Sequence, residues 1–394
     1  MTDTFRSAGE VKEVAIRTGH TPWKSVYFTL LMLVMFLISC SKDEIVSPRN
    51  DTGLNSLDTR NEKIKKGYEV TNLVSDVAEY DPEIIDTNLV NAWGIAIGGN
   101  GNGAFWISAA DRDLSVIYDD EGNTLRPPVT MDGEPTGQVA NGTTGFVIPM
   151  VGVARFIFVT EDGKITAWRT GNTATTVVDD SADGASYTGV ELANDGTANF
   201  LYVANVSEGE VEVFDENWNY VEDKPFEDPS LPTGMSPFNI QLIAGMLYVT
   251  YVGPGETGGL VDIFNTNGGF VRRFATGGTL DAPWGITNTP PEFGLGQAIL
   301  VGNFGDGRIN VYNKNGQFKG QLGDEEGDVI TIDGLWALEF KAGAFTGTGD
   351  PDLYFTAGPD NEEHGIFGEI EFVEEEAAAT ISSSSLMTAS PGIK

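Results

Sequence analysis

The sequence predicts an all-β chain: a six-bladed β-propeller of four-stranded blades, its ring closed by an N-terminal strand. Three observations carry this. A short apolar line with an aromatic or branched centre recurs six times, at residues 105–108, 156–159, 201–204, 247–250, 299–302 and 353–356, in steps of 51, 45, 46, 52 and 54 residues. Each copy is followed, after a turn, by an alternating segment ending in an aromatic, at 114–118, 165–168, 211–214, 260–264, 309–312 and 369–372. The sixth copy breaks off after that segment, while an alternating stretch at 68–73 stands unpaired ahead of the first. Repeats of roughly 50 residues match the size of a propeller blade, and period-two alternation between Gly and Asn turns is the mark of hairpin strands.

Taken in chain order, residues 1–39 read as a signal segment. Lys24 precedes a 13-residue apolar run at 26–38 broken only by Thr29, too short to span a bilayer comfortably. The run ends in Leu37-Ile38-Ser39-Cys40, which resembles the lipobox of bacterial lipoproteins, so Cys40, the only cysteine, is expected to carry a lipid and tie the chain to a bilayer. Ser41-Lys42-Asp43-Glu44 resembles a signal that sends lipoproteins to the cell surface, and the expected location is the outer membrane, facing outward. Residues 40–66 are polar and form a tether, 67–373 the propeller, and 374–394 an acidic, Ser-rich tail.

Within the propeller each apolar line is expected to be a blade's second strand and the alternating segment its third. The first strands are expected at 93–97, 144–148, 188–192, 238–242, 284–288 and 336–340, with fourth strands such as 270–274 and 318–322 after Asn-Gly turns. The 68–73 stretch supplies the outer strand that blade six lacks, because an open edge would invite pairing with other chains. Gly98-Gly99-Asn100-Gly101-Asn102-Gly103 lies in a hairpin connection and not ahead of a helix, so it is no phosphate loop.

The charge excludes one class of function. With 23 basic against 58 acidic residues the net charge is −35, and such a chain cannot neutralise phosphates, so no nucleic acid is expected as partner.

Six segments, at 88–94, 158–163, 237–241, 301–307, 332–338 and 353–359, resemble in order a family of secreted bacterial propeller proteins, some of which end in PEP-CTERM sorting tails. The resemblance spans about Tyr68 to Ile370, and residues 83–86 look like an insertion in the pattern. It implies the fold and secretion, and no catalytic residues. The tail signature is missing here, so attachment would rest on Cys40.

Loops joining second to third strands, and fourth strands to the next blade, open on one face around the channel. That face is expected to gather Asn91, Asp111, Glu161, Asn205, Asn303, Asp306, Asp360 and His364, together with Arg112, Asp113, Asp162, Glu208, Glu362 and Glu363. Oxygen ligands converging there could hold Ca²⁺, with Glu161, Asn205, Asn303 and Asp306 as the set; a solvated acidic rim is the plain alternative. Calcium-dependent lactonases of the gluconolactonase and paraoxonase type hold their metal by Asn, Asp and Glu near the starts of the inner strands. The positions compared are Trp93, Thr144, Thr188, Phe238, Trp284 and Trp336, none a carboxylate, with Asn239, Asn91 and Asp333 nearby. Beyond the signal segment His364 is the only histidine, and no G-x-S-x-G elbow occurs, so no catalytic residue is assigned. Trp93, Phe238, Trp284 and Trp336 are expected to pack between blades, the alternative being a stacking surface for sugar rings near the channel, with Tyr251 and Trp218 the more exposed rings. Two readings follow: a noncatalytic surface scaffold binding a glycan, peptide or protein through its acidic face, or a Ca²⁺-dependent hydrolase of lactone or phosphate esters. Metal content separates them.

Overall fold

A computed structural model describes residues 65–349 and 351–375. Cys40, the tether and nearly all of the tail lie outside the described residues. Six antiparallel sheets follow one another along the chain, each a blade. Blade one is Ala92–Ile97, Phe105–Ala109, Leu114–Tyr118 and Val129–Thr130; blade two is Pro135–Ala140, Phe156–Thr160, Lys164–Trp168 and Thr175–Asp179. Blade three has three strands, Tyr187–Asn194, Asn199–Asn205 and Glu210–Asp215; blade four has Ser236–Ile243, Met246–Val252, Leu260–Phe264 and Phe270–Thr276. Blade five is Pro283–Asn288, Ala298–Asn303, Ile309–Asn313 and Phe318–Gln321. Blade six runs Leu335–Phe340, Leu353–Ala357, Ile366–Glu375 and then Lys65–Ser75, with Ile84–Ile85 added in parallel outside.

The second strands are the most apolar because a blade is covered on both faces by its neighbours. Every residue of Phe105–Ala109, Phe156–Thr160, Ala298–Asn303 and Leu353–Ala357 is buried. The cores therefore lie between blades: one joins Leu300, Ile309 and Phe293 of blade five to Leu338, Phe355 and Ile370 of blade six. At the far ends of the third strands an Asx side chain closes the turn. Asp119, Asp215, Asn265 and Asn313 each accept backbone N–H groups two and four residues on, at 2.8–3.1 Å.

Ring closure occurs with the strand expected, somewhat longer: Lys65–Ser75 pairs with Ile366–Glu375, Tyr68 opposite Phe372 and Val70 opposite Ile370, with a bulge between Asn72 and Val74. Tyr68 lies between Phe293 and Phe372, and its hydroxyl donates to the Phe293 carbonyl at 2.8 Å. The pairing continues past 373, where Lys66 meets Glu374 at 2.8 Å. Just beyond the closing strand, Asp76 accepts from the Gly365 N–H at 3.0 Å and pairs with His364 Nδ1 at 2.9 Å.

One expected strand is misplaced. The first strand of blade two is Pro135–Ala140, whereas 147–148 pairs with 152–153 in a small separate hairpin. The inner-strand position does not select the most apolar segment; it needs groups that bond across to neighbouring blades. Thr136 Oγ1 donates to the Tyr187 carbonyl at 2.6 Å, and Gln138 Nε2 to the Gly94 and Trp106 carbonyls at 2.7 Å each. Phe146 and Ile148 instead bury in the core between blades two and three, and Phe146 meets Trp218 edge-on. Glycine at the strand's third residue is also a requirement of close approach: a Cβ on Gly94 would lie 2.5 Å from the Thr136 carbonyl oxygen, and one on Gly285 2.5 Å from that of Trp336. Blade three has no regular fourth strand; the chain there crosses by way of Lys224, paired with Asp195 at 2.9 Å, and Asp228, paired with Arg273 of blade four.

Candidate functional site

The first strands begin at the loop face and run down the central axis. Their opening positions are Trp93, Thr136, Thr188, Phe238, Trp284 and Trp336. The four rings pack between blades as expected, and those of blades one, four and five all meet the ring of blade six. Trp93 stacks on Trp336 with centroids 3.8 Å apart, Phe238 and Trp284 meet the same ring edge-on at 5.7 and 5.9 Å, and Phe304 stacks on it from above at 4.0 Å. Trp336 Nε1 donates to Asn91 Oδ1 at 3.2 Å, and Trp284 Nε1 crosses to the Thr188 carbonyl at 3.1 Å. The upper channel is therefore a plug of stacked rings. Beneath it remains a cavity of about 30 Å³ lined by Gln138, Asn239, Gln241 and Glu339, room for about two waters.

Above the plug, carboxyl groups from four blades converge. Glu161 from the second-to-third loop of blade two interacts with Glu134, Asp111 and Glu256; Glu362 from blade six interacts with Glu256, Glu161, Asp111 and Glu134. Desolvation, then like charge, pushes Glu161 and Glu362 up to about 7, and burial raises Glu256 as well. The like charge of Glu134 adds to the burial that raises Glu161, and burial raises Glu134 in turn. Phe304 and Val206, half-buried, form the floor. The arrangement is a recessed mouth with negative walls and an apolar base.

The expected face residues divide into two groups. Asp111 and Glu161 stand in the mouth, and Asn91, in a left-handed conformation, lies just below it with Nδ2 donating to Asp111 Oδ1 at 3.3 Å. Asn205 and Asn303 are buried and engaged locally. Asn205 Nδ2 donates to Glu212 at 2.6 Å; Asn303 Nδ2 donates to the Thr279 carbonyl and to Asp306, at 2.7 and 2.8 Å. Asp306 also faces Arg308 at 3.5 Å, and Asp360 receives its place from a backbone N–H bond to Asp333. The set Glu161, Asn205, Asn303 and Asp306 thus has three members engaged with groups near them and not with Glu161. His364 serves the ring closure through Asp76, which raises its pKa above the usual imidazole value. Tyr251, expected to be exposed, is buried; Trp218 is half-buried and donates to the Val147 carbonyl. Glu134 is not legible because it precedes the true first strand of blade two, which the sequence reading sets at 144–148, whereas Glu256 lies on a second-to-third loop and the loop rule could have found it.

A second pair of carboxyls lies lower in the channel. Glu191 accepts the Leu242 N–H of the next blade at 2.7 Å, and Glu339 receives a long contact from Gln241 at 3.5 Å; burial pushes them up to about 7 and about 8.

These features define a six-bladed β-propeller with a ring-filled channel and an acidic mouth. The chain is 31% identical over 335 residues to "Uncharacterized protein R648" of Acanthamoeba polyphaga mimivirus, across 78% of this chain and 80% of that one. It is 30% identical over 341 residues to "Uncharacterized protein L690" of the same virus, across 78% and 85%. The chain belongs to the family of these proteins. No family model matches it. Among solved structures it is similar to virginiamycin B lyase from Staphylococcus aureus (TM-score 0.47, 12% identity, 78% of this chain and 100% of that one). It is also similar to regucalcin, a calcium-binding protein from Agrobacterium tumefaciens (0.46, 13%, 72% and 91%). No helix among the described residues is long and apolar enough to cross a membrane.

Proposed function

We propose that the protein is a noncatalytic binding propeller, displayed at the outer membrane surface by a lipid on Cys40, whose mouth takes a basic segment of a peptide or protein. The observation that supports this is the convergence of Glu134, Glu161, Glu256, Glu362 and Asp111 over an apolar floor, where the leading charges that act on Glu161 and Glu362 are other carboxylates. An incoming ammonium or guanidinium would restore the charge balance, and the half-buried Phe304 offers an aromatic face to it. The lipoprotein reading and the likeness to secreted bacterial propellers supply the location.

The hydrolase reading needs oxygen ligands where the first strands open. Trp93, Phe238, Trp284 and Trp336 fill that place and pack on one another, which favours the scaffold.

The test is fluorescence anisotropy with a labelled lysine-rich octapeptide against an uncharged peptide of equal length. Binding is expected for the first only, to weaken as salt rises, and to fall at least tenfold in the Glu161→Gln/Glu362→Gln variant. Equal binding by variant and wild type would overturn the proposal. Cys40→Ala is expected to abolish incorporation of labelled fatty acid, and retained labelling would remove the anchor.

A further inference from the structure

On the face opposite the mouth, at the seam of blades one and two, lies an open cleft of about 410 Å³ with the opposite chemistry. Its wall is aromatic: Trp106 stacks on Phe156 at 3.9 Å, and Trp168 leans on Trp106 at 4.7 Å. Its cations are Arg126 and Arg155. The Arg126 guanidinium lies 4.6 Å over the Trp168 ring and 5.5 Å from that of Trp106. Neutral acceptors alone hold it, the Gly171 carbonyl at 2.5 Å, Asn172 Oδ1 at 3.2 Å and the Pro127 carbonyl at 3.2 Å. Arg155 is exposed, and its side chain has no partner among the described residues. In a chain of 58 acidic and 23 basic residues, two arginines facing one cleft without a carboxylate on either is an arrangement that leaves anion capacity unused.

We propose that this cleft binds an acidic saccharide, a uronate-type ring within a longer chain. A planar guanidinium fork matches a carboxylate, which selects an anion. The aromatic wall and half-exposed Leu125 suit the C–H face of a ring. The cleft is wide open, so the outer edge of the ligand stays in water, which suits a ring bearing hydroxyl groups better than a purely apolar acid. Gly98 and Gly99 form one side as bare backbone, and at Gly99 nothing lies within 4 Å of where a Cβ would stand, so hydroxyls can approach the main chain there. An open cleft also lets a polymer run out at both ends.

The probe is a trigalacturonate, titrated by calorimetry and by quenching of tryptophan fluorescence, against its fully methyl-esterified form and against benzoate. The acid form is expected to bind and quench, with esterification weakening it at least tenfold and benzoate failing to compete. Arg155→Ala, which removes an exposed side chain that holds nothing, is expected to weaken binding at least fivefold at unchanged melting temperature, and Arg126→Ala to weaken it further. Absence of binding, equal binding of acid and ester, or affinity unchanged in both arginine variants would overturn the proposal. Competition by benzoate at equal concentration would overturn the saccharide assignment, since a flat apolar acid would then suffice.

Discussion

Tyr68 tests the ring closure at a single side chain. The ring is buried against Phe293 of blade five and Phe372 of blade six, with centroids at 4.8 and 5.4 Å, and its hydroxyl donates to the buried Phe293 carbonyl at 2.8 Å. Tyr68→Ala removes the whole contact, and large-to-small changes of buried aromatics cost about 3–5 kcal/mol. Tyr68→Phe keeps the packing but strands a buried carbonyl, a loss of about 1–2 kcal/mol. Lys66→Ala, two residues away, breaks only an exposed pair with Glu374 and should cost under about 1 kcal/mol. The full change is a large fraction of a typical stability of about 5–15 kcal/mol, so the variants should order cleanly in urea unfolding at constant m-value. Amide exchange in Ile366–Glu375 should accelerate in Tyr68→Ala, because that strand loses its clamp on one side. If Tyr68→Ala unfolds at the urea midpoint of Lys66→Ala, the closing strand does not hold the ring and the reasoning fails.

Three further outcomes follow from the charges. His364 has a raised pKa chiefly because Asp76 bonds to its charged form, so its stabilising contribution should be full below the unfolded imidazole value of about 6.5 and vanish as pH rises through the folded value. The melting-temperature gap between wild type and His364→Gln should accordingly be wider at pH 5.5 than at pH 9, and a gap independent of pH would refute the pairing. Glu161 and Glu362, pushed up to about 7, keep protons in the folded state that the unfolded chain has released, so stability should fall as pH rises from about 4.5 through 7. Glu161→Gln/Glu362→Gln should then raise the melting temperature at pH 8 and leave it nearly unchanged at pH 4.5; an equal gain at both would show that the mouth carries no such burden. Calcium chloride should raise thermal stability more than sodium chloride of the same ionic strength, and the excess should disappear in Glu161→Gln with Glu362→Gln if the ion sits in the acidic mouth. An excess that survives both substitutions would place the ion elsewhere, and no excess over sodium would mean general screening of the −35 charge.

The phase of the blades could be read from the chain because a second strand covered on both faces must be apolar throughout, and Phe105–Ala109 or Leu353–Ala357 record that demand locally. The closing strand was legible for a related reason. Six copies with the last one strand short leave a paired edge as the physical solution, and Tyr68–Leu73 alternates in the right sense. Blade two shows where such reading stops. Pro135–Ala140 earns its inner place through Thr136 and Gln138, whose bonds reach carbonyls 51 and 44 residues away, and nothing in the local pattern marks them, while the more apolar 146–148 belongs to a side hairpin. The same limit governs both candidate sites. Glu161, Glu256 and Glu362 lie on loops that sequence assigns to the mouth, but Glu134 looks like any other of the 58 acidic residues until the blades bring their loops to one axis. Arg126 and Trp168 stand 42 positions apart, and only the packing of blade one on blade two lays one over the other. Periodicity along a strand is a local consequence of burial and is written in the chain; convergence of loops depends on the angle between sheets, which side-chain packing sets across the whole ring.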